Sequence, residues 1–234
     1  NYCDPHTRAF GERCPARVVW FSVGERPQEG YFLDGETICS CFEGKTQRLM
    51  NIHEMQLLGM HNVENVMAAI AMADAFGVPM ENILNTVKQF QAVEHRIEYV
   101  ATKRGVMYYN DSKGTNPDAA IRAIRAMNRP TVLIGGGYDK GNAYDEWIEA
   151  FDGKVKLLVL IGQTREKIAE CARRHGFDRI VMADSFEECM DICAREASAG
   201  DAVLLSPACA SWGMFPNYEE RGKQFKEYVN RLKE

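Results

Sequence analysis

The stretch YYNDSKGTNPDAA, residues 108–120, concentrates small polar side chains between an apolar-aromatic run and an alanine-rich segment. Asn116 followed by Pro117 is typical of a helix N-cap with proline in the first turn. The preceding residues would then face free backbone N–H groups and the positive end of the helix dipole, which favour anions. Asp111 adds an acceptor for hydroxyl groups, and Lys113 adds a positive charge. The stretch fits an anion-binding loop and, equally, a capped turn with a solvated lysine.

A glycine-rich stretch, LIGGGYDKG at residues 133–141, leaves a similar pair of alternatives open. Its apolar beginning is typical of a strand, and its glycines would end that strand in a turn. Lys140 would bring a cation to the carboxyl end of the strand, which suits an acidic ligand. An exposed lysine without a function explains the pattern equally well.

A third polar stretch is LLSPACASWGMFPNYEERG, residues 204–222. The small residues from Ser206 to Ser211 leave room for a ligand, and the Ser211 hydroxyl could bind an oxyanion. Three aromatic residues could form a wall beside it: Trp212, Phe215 and Tyr218. For these aromatic side chains alone, packing in the core of a turn is the favoured interpretation.

Alternating strands and helices position these three stretches. Strands are predicted over residues 97–101, 106–109, 131–135, 156–161, 179–182 and 202–206. Helices are predicted at about 117–127, 143–151, 164–175, 185–198 and 217–232. The alternation indicates an α/β fold with a mostly parallel sheet covered on both faces. Because such sheets bind ligands beyond the carboxyl ends of their strands, the loops at 110–116, 135–142 and 206–218 are the candidate site.

The first part of the chain has a different pattern. Residues 17–23, ARVVWFS, predict a strand, and short alternating runs within residues 30–52 predict an antiparallel β-meander. Apolar residues at helical spacing then predict a helix from Leu57 that ends at Gly77, and a second helix at about 80–90.

Within the meander, Gly44-Lys45-Thr46 resembles the end of a phosphate-binding loop. That motif needs another glycine five residues before its second one, so that backbone N–H groups wrap the phosphate. Position 39 is a cysteine, and the flanking residues are typical of a hairpin. We therefore interpret Gly44-Lys45-Thr46 as a plain turn.

The length of 234 residues allows one large domain or two modest ones. The change of pattern predicts a boundary near residues 94–98, with domains over 1–95 and 96–234.

The net charge of -5 argues against binding to duplex DNA, because no basic excess neutralises phosphates. No apolar run has the length of a membrane span, and no signal peptide is evident. Since the first residue is Asn1, we expect further N-terminal sequence outside this chain.

Eight cysteines are spread along the chain, and no pair has Cys-x-x-Cys spacing. No histidine pair completes a zinc pattern either. Cys189 and Cys193 lie among apolar residues at helical spacing, which favours core packing over metal binding. Scattered thiols indicate a reducing compartment, so a cytoplasmic location is expected.

Five motifs taken together carry a family resemblance: GMHNVENVMAA (59–69), EHRIE (94–98), and the three stretches above. In this order, over essentially the whole chain, they resemble the Mur ligases of peptidoglycan synthesis, and most closely the members that add D-glutamate. Two residues depart from the family pattern. Cys3 stands where an aspartate is usual, which leaves the role of residues 1–5 open, and Gly114 stands where alanine is common, a change expected to be mild.

The resemblance implies an ATP-dependent ligase built from three domains. Residues 1–95 would be the C-terminal part of the central ATP-binding domain, and residues 96–234 a Rossmann-like domain that binds nucleotide and D-glutamate. The phosphate loop and the Mg²⁺ ligands would lie in sequence outside this chain, so the chain alone is expected to be inactive. A monomer without nucleic-acid or membrane partners is also implied.

The resemblance also implies roles for individual residues. Asn62, Asn65, Arg96, Asp111 and Lys113 would contact ATP, with Lys113 catalytic at the phosphates. The D-glutamate pocket would be formed by Thr115, Lys140, Ser211, Trp212 and Tyr218. ATP would phosphorylate the carboxylate of UDP-N-acetylmuramoyl-L-alanine, and the amine of D-glutamate would then attack the acyl phosphate.

Two other functions remain open from the sequence. One is a stand-alone module that binds a nucleotide or an acidic amino acid without chemistry. The other is a related ligase for a different amino acid or for folate polyglutamylation. The order of the segments PACAS and NYEERG favours D-glutamate over both alternatives.

Overall fold

The computed structural model describes residues 1–233, which form two compact units, one over residues 1–91 and one from residue 92 onwards. The turn that carries EHRIE belongs to the second unit. There, Lys113 N donates to the His95 carbonyl at 3.1 Å. Ile97 N donates to Asp111 Oδ1 at 3.2 Å.

The first unit consists of α1 (Pro5–Glu12), β1 (Trp20–Ser22), β2 (Gly30–Asp34), β3 (Thr37–Phe42), β4 (Lys45–Asn51), a 3-10 turn (Ile52–Glu54), α2 (Met60–Ala75) and α3 (Met80–Gln89). The strands lie side by side in chain order, and β2, β3 and β4 are antiparallel, which confirms the predicted meander. β1 pairs in parallel with β2. One face of α2 packs Val66, Met67 and Ile70 into a core with Tyr31 and Ile38 of the sheet.

Gly44 lies in the turn between β3 and β4, and Lys45 and Thr46 begin β4, so these residues belong to a hairpin as their flanks predicted. Glu43 and Gly44 have φ angles of 50° and 74°, in the left-handed region that tight hairpin turns require. α1 was absent from the prediction. Its helix begins at an Asp4 N-cap, whose carboxylate accepts a hydrogen bond from Thr7 N at 2.7 Å, and none of its residues is buried.

The second unit alternates strands with helices. Its strands are β5 (Glu98–Lys103), β6 (Val106–Asn110), β7 (Thr131–Gly135), β8 (Val155–Leu160), β9 (Ile180–Met182) and β10 (Ala202–Leu205). Its helices are α4 (Pro117–Ala126), α5 (Asp145–Glu149), α6 (Arg165–Arg174), α7 (Phe186–Glu196) and α8 (Tyr218–Arg231). Each corresponds to a predicted element, and the bounds differ by a few residues at most.

The strand order of the second sheet is β5-β6-β10-β7-β8-β9. Strands β6, β10, β7, β8 and β9 run parallel, and β5 pairs antiparallel with β6. The α/β fold with a mostly parallel sheet is therefore confirmed. Because the last strand in the sequence lies between β6 and β7, the loops that follow β6, β10 and β7 emerge next to one another.

The core of this unit lies between the sheet and its helices. Val203, Leu204 and Leu205 of the central strand are fully buried. Cys189 and Cys193 on α7 have no exposed surface, which confirms that they pack in the core. Within residues 1–233, no helix is both long and apolar enough to cross a membrane.

Candidate functional site

At the carboxyl edge of the sheet, Asp111 in the loop after β6 forms hydrogen bonds with the EHRIE turn and with the loop after β10. Its buried carboxylate accepts a hydrogen bond from Ser206 Oγ at 2.7 Å through Oδ2. Oδ1 accepts one from Ile97 N at 3.2 Å. Burial raises the pKa of Asp111 to about 7, although both hydrogen bonds favour the charged form. The carboxyl group therefore lies close to its titration point at neutral pH.

Gly114 leaves room for this arrangement. A Cβ atom at this position would lie 2.4 Å from Asp111 Oδ2 and 2.9 Å from Ser206 Oγ. Both atoms are side-chain ends joined by a hydrogen bond, so a methyl group at residue 114 would require that pair to shift. The expectation that glycine in place of alanine is a mild change stays a prediction.

Lys113 is held by Tyr218, the first residue of α8. Its Nζ lies 2.7 Å from the phenolic oxygen and 4.0 Å from the ring centroid, so a hydrogen bond and a cation–π contact coincide. The backbone of Tyr218 is also bound, because Ser112 Oγ donates a hydrogen bond to the Tyr218 carbonyl at 2.7 Å. These contacts join the loop after β6 to the beginning of α8. Thr115 is half-buried in the same loop.

Arg221 is a residue of this site that the sequence analysis missed. It is 2% exposed, yet it donates to Ser112 Oγ at 2.9 Å and to the Cys209 carbonyl at 3.2 Å. A signal for its burial exists in the sequence. Arg221, Phe225 and Val229 are spaced four residues apart, which puts the arginine on the apolar face of α8.

The glycine-rich loop after β7 is bound to the loop after β10. Gly136 N donates to the Pro207 carbonyl and Tyr138 N to the Ala210 carbonyl, each at 2.9 Å. The Gly136 φ angle of 99° and a would-be Cβ only 2.2 Å from the Ile161 carbonyl oxygen explain why glycine is needed there.

Lys140 and Trp212 meet across these two loops. Lys140 Nζ lies 4.5 Å from the Trp212 ring centroid, and the Tyr138 ring lies edge-on to Trp212 with a centroid distance of 5.5 Å. Trp212 is 53% exposed, so core packing is wrong for this aromatic residue, whereas Phe215 is buried as that interpretation predicts. Ser211, next to Trp212, is buried.

The structure thus brings Lys113 together with Tyr218, and Lys140 together with Trp212. Asp111 is buried in the loop after β6, which also carries Lys113. Arg96 is exposed in the EHRIE turn. The two predicted asparagines belong to α2 of the first unit. Asn62 Nδ2 donates to the Leu58 carbonyl at 2.8 Å, and Asn65 Nδ2 donates to Asn62 Oδ1 at 3.4 Å. Their contacts with a nucleotide stay a prediction.

The loop carboxylates do not fit a magnesium site. Mg²⁺ is held by oxygen ligands that lie close together, and neither Asp111 nor Asp139 belongs to a cluster of three metal-ligating side chains within residues 1–233. Asp111 uses both oxygens within the protein, and Asp139 accepts hydrogen bonds from Gly141 N and from Lys167. We therefore derive no step through a metal ion from these loops.

Comparison with known proteins agrees with this architecture. A family profile described as "Mur ligase, glutamate ligase domain" matches residues 95–209. The UDP-N-acetylmuramoylalanine–D-glutamate ligase of Lachnospira eligens is 58% identical over 232 residues, which cover 99% of this chain and 52% of that protein. The ligase of the same name from Lachnoclostridium phytofermentans is 56% identical over 234 residues, covering 100% of this chain and 52% of that protein. The chain spans about half the length of these curated relatives.

Solved structures share the fold at low sequence identity. UDP-N-acetylmuramate-alanine ligase MurC from Thermotoga maritima has a TM-score of 0.65 at 16% identity, over 91% of this chain and 48% of that chain. MurF ligase from Thermotoga maritima, in complex with ADP, has a TM-score of 0.60 at 16% identity, over 98% of this chain and 53% of that chain. The profile match assigns residues 95–209 to the Mur ligase family as its C-terminal domain, and the whole chain is similar to about half of each D-glutamate ligase named above.

Proposed function

We propose that this chain is part of an ATP-dependent ligase that joins D-glutamate to UDP-N-acetylmuramoyl-L-alanine in peptidoglycan precursor synthesis. The observation that carries the proposal is the 58% identity, over 99% of the chain, to a ligase named for that reaction. The three polar loops support it, because they gather cations and hydroxyl groups at the edge of the sheet where α/β proteins bind ligands.

The substrates require charge neutralisation rather than a protein nucleophile. ATP and an acyl phosphate carry clustered negative charge, and D-glutamate carries two carboxylates. In our proposal Lys113 contacts the transferred phosphate. The pocket for D-glutamate consists of Thr115, Lys140, Ser211, Trp212 and Tyr218.

The remaining predicted residues would serve the nucleotide. Asn62 and Asn65 would lie near the adenine, and Arg96 and Asp111 near the ribose and phosphates. The loop after β6 would then bridge the two ligands, with Lys113 at the phosphate and Thr115 at the amino acid. Holding both reactants in one rigid frame is a main source of rate enhancement in such transfers.

We further infer that the protein is a monomer and that the reaction takes place in the cytoplasm. All eight cysteines are free thiols, including the pair at Cys189 and Cys193 on one helix, which agrees with a reducing compartment.

The test is a ligation assay with the intact protein that carries this chain. Phosphate release from ATP in the presence of UDP-N-acetylmuramoyl-L-alanine should depend on D-glutamate, and L-glutamate serves as the matched control. The Lys113→Met variant should abolish it. Faster turnover with another amino acid would overturn the assignment of D-glutamate. Ligand binding without amide formation in every substrate combination would favour a binding module instead.

A further inference from the structure

Two helices of the second unit each present a pair of metal-ligating residues one turn apart. Asp145 and Glu149 lie on α5, and Cys171 lies on α6 with His175 at the C-cap of the same helix. Residues four apart share one helix face. Because α5 packs against α6, the two pairs meet between the helices.

Three of these side chains are close enough to share one ion, and Glu149 lies beside the histidine of that group. His175 Nε2 lies 2.9 Å from Asp145 Oδ1, and His175 Nδ1 lies 3.7 Å from Glu149 Oε1. Ligand atoms of Asp145, Cys171 and His175 all lie within 4.8 Å of one another. Moving each atom by about one ångström would bring the three to the ~2.0–2.3 Å bond lengths of a zinc centre.

We propose that Asp145, Cys171 and His175 bind a zinc ion that joins α5 to α6. One sulfur, one imidazole nitrogen and one carboxylate oxygen form a donor set that Zn²⁺ favours over Mg²⁺. Three protein ligands leave the fourth tetrahedral position to water. Glu149 would accept the proton of the second imidazole nitrogen and so fix the ring's orientation, as outer partners of zinc-bound histidines do.

Burial and charge are compatible with such an ion. The Cys171 thiol is buried, whereas 45% of the Asp145 side chain is exposed, so an ion can enter from the solvent side. A thiolate and a carboxylate balance the two positive charges of zinc. The competing cation is Arg174, whose Nη2 lies 3.4 Å from Asp145 Oδ1. Its side chain is 63% exposed, so it can turn into solvent when the ion binds.

A second cluster of similar residue types gives a useful contrast. Glu94, His95 and Glu98 also lie within reach of a common ion. There, however, Lys226 binds both carboxylates, and Asn110 Nδ2 lies 2.9 Å from His95 Nδ1. That cluster already holds its own cation, so it carries no metal proposal.

Cobalt(II) is the probe for the zinc site, because cobalt bound to a thiolate gives a near-ultraviolet charge-transfer band. The exposed Cys3 and Cys14 are first replaced by serine to remove background binding. In this background, cobalt should produce the band, and Zn²⁺ should displace it, since zinc binds such sites more tightly. Cys171→Ala should abolish the band. Cys193→Ala, a change of another buried thiol, is the matched control and should retain it.

Two further variants keep the proposal falsifiable if Cys171→Ala fails to fold. His175→Gln should weaken cobalt binding by at least tenfold, and Glu149→Gln should weaken it by about 10- to 100-fold, as for other outer partners. The absence of a thiolate band in the background protein, or a band that persists in Cys171→Ala, would overturn the proposal. Unchanged affinity in His175→Gln would do the same. None of these readouts depends on ligase activity.

Discussion

The guanidinium group of Arg221 donates two hydrogen bonds to Ser112: Nε donates to the hydroxyl at 2.9 Å and Nη2 to the backbone carbonyl at 2.8 Å. No carboxylate within residues 1–233 forms an ion pair with this buried arginine. Burial accordingly lowers the pKa of Arg221 to about 10. A buried positive charge thus lies directly under the loop that presents Lys113, where it favours the binding of an anion.

Replacement of Arg221 should destabilise the chain. In Arg221→Met, the carbonyl groups of Ser112 and Cys209 lose their buried donor, which costs about 1–3 kcal/mol for each unsatisfied group. We expect the free energy of unfolding, measured by urea titration, to fall by about 2–4 kcal/mol. Arg221→Lys should recover part of the loss, because an ammonium group reaches fewer of the acceptors. Arg179→Met, a change of an exposed arginine, is the control. Equal stability of both methionine variants would contradict the structural role of Arg221.

The titration of Asp111 should appear in the pH dependence of stability. The folded pKa is about 7, whereas the unfolded carboxyl titrates near about 3.9. Between these values the folded state binds more protons, so the stability that this group contributes is lost as pH rises from about 4 through about 7. Asp111→Asn cannot titrate. Its amide oxygen can still accept from Ile97 N, and its Nδ2 would donate to Ser206 Oγ, which reverses the direction of that hydrogen bond.

The measurement compares the wild type with Asp111→Asn by urea unfolding at several pH values. We expect the variant's stability relative to the wild type to increase as pH rises through this window. The difference should be constant at more acidic pH, where both side chains are neutral. A constant difference throughout the window would show that the carboxyl group of Asp111 titrates normally in the folded chain.

The elements of the second unit follow from local signals in the sequence. Asn116 and Asn217 cap α4 and α8 by accepting hydrogen bonds from backbone N–H groups three residues later. Each cap can be recognised in the sequence because asparagine is a preferred residue directly before a helix. The apolar runs that form the strands are equally local. The insertion of β10 between β6 and β7 is different, because the order of strands depends on packing across the whole unit.

The candidate site was predictable only where a charge or hydroxyl stood in a strand-end loop. Lys113 and Lys140 have that position. Arg221 lies inside a helix, and its partner Ser112 is 109 residues away in the chain, so no local pattern joins them. The proposed zinc ligands were not predicted for the same reason. Asp145 and His175 come from different helices, and a search for closely spaced Cys and His pairs does not find them.

Lys140 should matter for the amino-acid substrate under the proposed function. Lys140→Ala in the intact ligase removes the cation at the pocket, and we expect a loss of roughly 2–4 kcal/mol of transition-state stabilisation, measured as kcat/KM for D-glutamate. Trp212→Leu removes only the ring against which the ammonium rests, which is worth about 0.5–1 kcal/mol at an exposed site. Lys223→Ala on α8 is the control for a change of charge. An unchanged kcat/KM in Lys140→Ala would remove this residue from the pocket.

Gly222 permits α8 to pack closely against the EHRIE turn. A Cβ atom at this position would lie 2.2 Å from His95 Nδ1 and 3.0 Å from Asn110 Nδ2. Alanine forms helix more readily than glycine by about 1 kcal/mol, yet overpacking of a buried contact costs typically about 1–3 kcal/mol or more. We therefore expect Gly222→Ala to lower the thermal unfolding temperature despite the better helix propensity.

A double-mutant cycle with His95→Ala separates these two effects. Removal of the imidazole opens the space that the new methyl group needs, so Gly222→Ala should be neutral or stabilising in that background. Any strain from the positive φ angle of residue 95, which is 65°, is present in both members of the pair and cancels. An equal loss of stability with and without the imidazole would mean that the clash with His95 is not the cause.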